Sequence, residues 1–595
     1  LSEAAQIYVG EDRFAARKKI IAELKEKGFL QKEEEYQTRV GYSQRSGAVV
    51  EPRISTQWFL KMKEMAGPAL KAVMDGDIKI HPGDKFLATY KYWLENVKDW
   101  CISRQLWWGQ QIPAWYDEEG NVYVAQSLGA LQIDEPGTRN QKLSQDEDVL
   151  DTWFSSWLWP MEVFKGISDP GNDDINYYYP TSVLVTGQDI IFFWVARMIM
   201  AGMEYMHEKP FSDVYFTGMV RDKEGRKMSK SLGNSPDLLD LIKKYGADAV
   251  RFGIMISSPA GNDLLFDESS LDQGKHFNNK LWNALKLIKI FNVRKEDGDD
   301  LQQALLMSEI NANPGVSFAP AISVNITDDE NFAVQWFQSR LNEVRIEVEN
   351  LYTHFRLSEA LKTIYSLVWD DFCSWYLEWI KPPFGVKIGE DLYLKTIDFF
   401  EQLLQLLHPF MPFITEEIYH LLKSQEDDLV VKQFEEPGKA NAEILRWGNI
   451  LKESVTGIRD AKNKNQVKPK EKIKLHLDTP DKSDFADIED ILVKQVNAER
   501  LSYSTDPVPN SIAVVVKKNK FYIETEQAID TVSQKNQLQK DLLYLKGFLT
   551  SVEKKLGNDK FVSNAKADVI ELERKKQADA LDKIKIIEES LTSLR

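Results

Sequence analysis

At 595 residues, with 43% hydrophobic and 28% charged residues, the chain is too long for one compact core and too apolar for a disordered one. Its two cysteines, Cys101 and Cys373, exclude a disulfide framework or a cysteine-based zinc site, and point to a reducing, cytoplasmic setting. Net charge is −17, which argues against indiscriminate polyanion binding, yet Leu451 to Leu475 holds eight Lys/Arg against three Asp/Glu, and Lys535 to Arg595 thirteen against ten. Two faces suited to nucleic acid, or merely solvated helix surfaces, are the two readings of those segments. The longest apolar run, Ile190 to Met203, is interrupted by Arg197 and falls short of the roughly 20 residues a bilayer span needs. The sequence opens at Leu1 without a methionine, a basic leader or a small-residue cleavage site, so no secretory signal is expected, and no membrane segment is predicted.

In chain order, a helical pattern covers Phe14 to Leu30, punctuated by Gly28. From about 41 to 300 short strand-like runs alternate with longer apolar-periodic ones, as in an α/β sheet. Val183-Leu-Val185 leads through Thr186-Gly-Gln-Asp189 into a helical run from Ile190, a strand-turn-helix unit. Val214 to Phe216 starts a second strand, followed by a charged, glycine-containing loop at 221–234. Ligands of open α/β sheets bind beyond the carboxyl ends of strands, so both turns point to one crevice. Residues 301–328 read as a loop or insertion. Phe337, Leu341, Val344, Val348, Leu351 and Phe355 place an apolar stripe on one helix face, and further helices at 357–380 and 395–424, the latter divided at His408-Pro-Phe-Met-Pro412, predict a bundle over 329–450. Residues 451–530 read as a small mixed α/β region with strands at Ile473–Leu477 and Ile512–Val516. Heptad leucines from Leu538 to Leu556, a stop at Gly557-Asn558 and a second series from Ala580 to Leu594 predict an antiparallel helical hairpin over 531–595, or a dimeric coiled coil.

The stretch with most chemistry is Gly225-Arg-Lys227-Met228-Ser229-Lys230-Ser231-Leu-Gly-Asn234. Two ammonium groups three residues apart, on a loop with glycines at either end, can close over a polyphosphate and neutralise charge as pyrophosphate departs. A lone Lys-x-x-Lys is more often a solvated turn. The full Lys-Met-Ser-Lys-Ser string, however, resembles the signature loop of class I aminoacyl-tRNA synthetases. Around it, NVKDWCISRQLWWGQQIPAWY at 96–116, DVLDTWFSSW at 148–157, VTGQDIIFFWVARMIM at 185–200, SQRSGAVVEPRISTQWF at 43–59 and YGADAVRF at 245–252 resemble the valyl-tRNA synthetases among them.

The resemblance implies a multidomain α/β plus all-α chain: the second half of a Rossmann-like catalytic domain (41–300), a helical anticodon-binding domain (329–450), the small mixed region and a C-terminal coiled-coil arm on the tRNA. It implies valine and ATP as substrates, with magnesium accompanying ATP, tRNA(Val) as acceptor, and a monomer. Lys230 would contact the phosphates with Lys227 assisting, and Met228, Ser229 and Ser231 would complete the closed loop. Gly187 would admit the nucleotide, and Asp189 would accept from ribose hydroxyls unless it is only a helix cap. Trp153 and Trp194 would wall the aliphatic side chain, because flat aromatic faces suit a small branched alkyl group. Such a pocket rejects threonine poorly, so an editing domain is expected. Lys462, Lys464, Lys468 and Lys470 are suited to tRNA phosphates. Trp375, Tyr376 and Trp379 read as core residues or as stacking platforms. The family's His-x-Gly-His element does not occur in the sequence, and residues 1–40 resemble the distal flank of the editing insertion, so the chain is expected to start inside that insertion and to activate valine poorly by itself. Two other readings are a non-catalytic tRNA-binding scaffold derived from a synthetase and an isoleucyl-tRNA synthetase. No metal ligand set is assigned.

Overall fold

The computed structural model describes residues 8–43, 46–52, 54–229, 232–293, 328–382, 388–422, 427–525, 531–558, 561 and 567–593. Lys230, Ser231, Leu594 and nearly all of the 301–328 segment lie outside them. The chain forms two compact units, one of residues 1–60 and 99–151, the other of residues 61–98 and 152–595. The stretch 41–300, read from sequence as one catalytic half, is thus divided between them.

In the first unit the helix Arg13–Glu26 begins where the Asp12 side chain accepts from the Phe14 and Ala15 N–H groups, two donors that have no partner within the helix. Short antiparallel pairs follow, Phe59–Leu60 with Trp100–Cys101 and Ser103–Arg104 with Val149–Leu150. Asp146 holds this part together, accepting from Trp58 Nε1 at 2.9 Å and the Tyr116 hydroxyl at 2.8 Å.

The second unit opens on a parallel sheet of β1 (Lys79–His81), β2 (Thr181–Gly187) and β3 (Phe211–Thr217), with β3 in the middle. Phe211, Val214 and Phe216 of the middle strand are buried, as a parallel strand covered on both faces requires. A second parallel pair, β4 (Val220–Arg221) and β5 (Leu264–Leu265), lies just beyond β3 in sequence.

Long helices follow at Glu268–Val293, Asp328–Thr353, Glu390–Leu407, Pro412–Leu422 and Ala442–Lys464. The helix Leu357–Ser366 continues through a wider π-helical stretch, Leu367–Tyr376. The break between Leu407 and Pro412 falls at the proline pair, where an interior N–H is missing. The predicted stripe is buried from Phe337 to Leu351, and Phe337 meets Phe372, Tyr376 and Phe399 at ring-centroid distances of 5.0 to 5.2 Å. Phe355, at the stripe's end, stacks instead on His81 and Tyr215 of the parallel sheet.

The helix Ala442–Lys464 extends well into the stretch read from sequence as shorter mixed elements, and lies against a four-stranded sheet ordered Ala498–Tyr503, Ile473–Asp478, Asn519–Glu524 and Ser511–Val516. Last come the helices Thr531–Leu556 and Ala567–Ser593. Lys546 pairs with Glu588 and Lys555 with Glu573, so numbers rise on one helix as they fall on the other and the two run antiparallel. Val552, Ala580, Ile584 and Ile587 of the predicted heptads are buried. Among the described residues, no helix is long and apolar enough to cross a membrane.

Candidate functional site

The candidate site lies at the carboxyl ends of β2 and β3, wholly within the second unit. β2 ends at Gly187, whose φ of −73° is open to any residue. A Cβ there would stand 2.8 Å from Asp189 Oδ1, the end of an exposed side chain, so a larger residue would shift that carboxylate rather than the backbone. Gly218, just past β3, is held more tightly, since a Cβ would fall 1.6 Å from the Asn262 carbonyl oxygen. Asp263 joins the two turns. Its Oδ1 accepts from Gln188 Nε2 and the Met219 N–H, both at 3.0 Å, and Oδ2 pairs with Arg221. The Arg221 guanidinium, and after it the Met219 N–H, hold the Asp263 carboxyl below the usual range.

Over this turn comes the loop that starts from β4. Lys227 bridges to Arg221 in an isolated antiparallel contact, and the Met228 N–H donates to the Val220 carbonyl at 3.2 Å. The Lys227 ammonium reaches Asp189 Oδ2 at 3.6 Å. The lysine loop and the glycine turn, 40 residues apart in sequence, therefore meet in space. Asp189 lies inside the short helical turn Gln188–Ile190, whose N-cap is Gly187, and its carboxylate faces the lysine. Ser229 donates its N–H to Asn234 Oδ1 at 2.9 Å, while Lys230 and Ser231 lie outside the described residues.

Trp153 and Trp194 stand on neighbouring segments and are half-buried. Trp153 stacks on Phe193 at 6.3 Å, and Trp194 donates from Nε1 to the Ser156 carbonyl at 3.1 Å, which ties its ring to the helical turn bearing Trp153. A cavity of about 750 Å³, lined by Phe154, Trp157, Tyr179 and Tyr205 among others, includes neither tryptophan.

The basic segment divides. Lys464, Lys468 and Lys470 are exposed, but Lys462 is buried and its ammonium donates to the Glu471 and Val496 carbonyls at 3.2 and 3.0 Å. Burial lowers its pKa and directs its charge inward, so this structure does not offer Lys462 to a polyanion. Tyr376 and Trp379 are buried as core, the former bonded to Thr396 at 2.9 Å, and Trp375 is half-buried. Glu416, His420 and Asp428, within 4.8 Å of one another, have metal-ligand types and spacing that the sequence reading did not single out. Asp222, Asn234 and Asp263 were also not singled out, although the first two bound the loop read as charged and glycine-containing.

Comparison with known proteins gives this geometry a context. Residues 14–267 match the family "tRNA synthetases class I (I, L, M and V)", residues 334–477 the "Anticodon-binding domain of tRNA ligase" and residues 530–595 the "Valyl tRNA synthetase tRNA binding arm". The class is that of the class I aminoacyl-tRNA synthetases. The chain is 47% identical over its whole length to a valine–tRNA ligase of Phocaeicola vulgatus and 46% identical to that of Parabacteroides distasonis, and spans 65% of the length of each. A methionyl-tRNA synthetase of Mycobacterium tuberculosis bound by methionyl-adenylate aligns with 64% of this chain and 65% of its own at a TM-score of 0.43 and 17% identity. The chain belongs to the valyl-tRNA synthetase family.

Proposed function

We propose that this chain carries the loop-bearing half of a valine–tRNA ligase site, which joins valine to ATP's α-phosphate, releases pyrophosphate and passes the valyl group to tRNA(Val). The observation that carries the reading is the 3.6 Å approach of Lys227 to Asp189 at the ends of parallel strands. A mobile ammonium poised there can follow the charge that builds on departing pyrophosphate, and chemistry of this kind needs placement and charge stabilisation more than a general base. Lys230, next along the loop, is the proposed second phosphate contact, with Met228, Ser229 and Ser231 closing around it. Gly187 and Asp189 are proposed to receive the nucleotide, and Trp153 and Trp194 to flank the valine side chain.

Magnesium enters with the phosphates. Asp222 and Asp263 already pair with Arg226 and Arg221, so the ion's ligands are proposed to come chiefly from ATP itself. The helical domain at 329–450 and a coiled-coil arm at 531–595 are proposed to hold the tRNA, in a cytoplasmic monomer.

The chain is expected to bind Mg-ATP, and Lys227→Ala to weaken that binding about tenfold while sparing AMP, as loss of one charge-assisted contact implies. Equal ATP binding by wild type and variant, measured by calorimetry, overturns the reading. Because no His-x-Gly-His element occurs in the sequence, valine-dependent ATP–pyrophosphate exchange by the chain alone is expected to stay far below that of a ligase carrying one.

A further inference from the structure

We propose that Asp222 and Asn234 are positioning residues that sort the cations of the phosphate loop and aim Lys227 at the Gly187 turn. The proposal rests on the nucleotide-site reading above and concerns how the loop is set before a ligand arrives.

Asp222 and Asn234 stand at the two ends of the loop. The Asp222 side chain is nearly buried and accepts four hydrogen bonds: from the Glu224 N–H at 3.1 Å, the Arg226 N–H at 2.8 Å, Arg226 Nε at 2.8 Å and Asn234 Nδ2 at 2.9 Å. Asn234 uses both ends of its amide. While Nδ2 reaches Asp222 and, at 3.4 Å, the Lys227 carbonyl, Oδ1 accepts from the Ser229 N–H at 2.9 Å. An aspartate at 234 could not donate, and an alanine could do neither.

The clasp brackets Lys227 on its backbone and leaves its side chain outside. Among the described residues of the loop and its stem, Arg221 pairs with Asp263, Lys223 with Asp267 and Arg226 with Asp222, whereas Lys227 crosses to Asp189. Two adjacent cations are thereby given opposite tasks, Arg226 closing the base and Lys227 facing the crevice. The Lys227–Asp189 pair is exposed on both sides, at 61% and 49%, so it is weak and a phosphate can displace it. A loop ordered in advance binds without spending interaction energy on its own immobilisation.

Calorimetric titration of the full chain with Mg-ATP and with AMP tests this. Asn234→Ala is expected to weaken ATP binding about tenfold and to leave AMP within about twofold, the scale of losing a hydrogen-bonded clasp. Asn234→Asp, nearly isosteric, is expected to match it, which guards against a variant that fails to fold. The double variant Asn234→Ala/Lys227→Ala should bind ATP no more weakly than Lys227→Ala alone, because one residue acts through the other. Equal loss of ATP and AMP, full additivity, or wild-type ATP binding by Asn234→Asp overturns the proposal. If Lys227→Ala weakens ATP binding and Asn234→Ala does not, the clasp fails and the site reading stands. If Lys227→Ala has no effect, the site reading fails and the clasp falls with it.

Discussion

A carboxylate that accepts four hydrogen bonds resists protonation, and Asp222 is held at a pKa of about 2, chiefly by the Asn234 amide and then by Arg226. The folded pKa lies below the unfolded value of about 3.9. The contribution is therefore fully present above the unfolded value and is lost as pH falls through the folded one. Exchange of the Arg226 and Ser229 amides is expected to stay slow near pH 4 and to accelerate toward pH 2; exchange that accelerates only with global unfolding would contradict this. The two cysteines make a second contrast. Burial pushes the Cys373 thiol up to about 12, whereas Cys101 is half-exposed. Because the thiolate is the reactive form, titration with a chromogenic disulfide at pH 8 should count one thiol in the native chain and two in denaturant. Two fast thiols in native buffer would show that Cys373 is reachable.

At the scale of elements, the helix Ala442–Lys464 shows where the sequence was readable and where it was not. Its buried stripe runs Ile444, Gly448, Leu451, Val455, Ile458, Lys462, at spacings of three and four throughout. A glycine and a lysine inside that stripe hid it from a search for apolar periodicity, so the stretch from 451 read as mixed elements and Lys462 as a phosphate ligand. Helical phase, once the helix is known, places Lys462 inside. Gly448 is small because Trp336 lies against it: a Cβ would stand 2.1 Å from the indole. Gly448→Ala is therefore expected to destabilise by about 1–3 kcal/mol through overpacking. Gly547, inside the helix Thr531–Leu556 with nothing within 4 Å of its would-be Cβ, is the control. Gly547→Ala should stabilise by about 0.5–1 kcal/mol, because it removes backbone freedom from the unfolded chain. Urea denaturation of both variants measures the pair, and equal signs would refute the packing argument. The proline break at 408–412 was legible because prolines, with a fixed φ and no N–H, mark it, and the strand-turn-helix at Gly187 because a β-branched run gives way to a longer apolar one. The clasp of Asp222 and Asn234 was not, since it depends on closure of the loop upon itself, which no periodicity records.

For the molecule as a whole, an acidic protein that binds an acidic polymer must do so through a few local faces. Net charge is −17, which opposes long-range attraction to a polyanion, so the proposed tRNA binding would depend on short-range contacts that release counterions. The exposed lysines Lys464, Lys468 and Lys470 cluster where the helix Ala442–Lys464 gives way to the loop before Ile473, and Lys472 and Lys474 continue the series. Each such lysine on a phosphate contributes about 0.7–0.9 to the slope of log affinity against log salt. The triple variant Lys464→Gln/Lys468→Gln/Lys470→Gln is then expected to flatten that slope for tRNA by about 2–3. Lys462→Gln is expected to leave the slope unchanged and to lower stability instead, because it removes the buried ammonium that serves the Glu471 and Val496 carbonyls. Filter binding across a salt series separates the two effects, and a slope indifferent to the triple variant would overturn the proposed tRNA contact at these lysines.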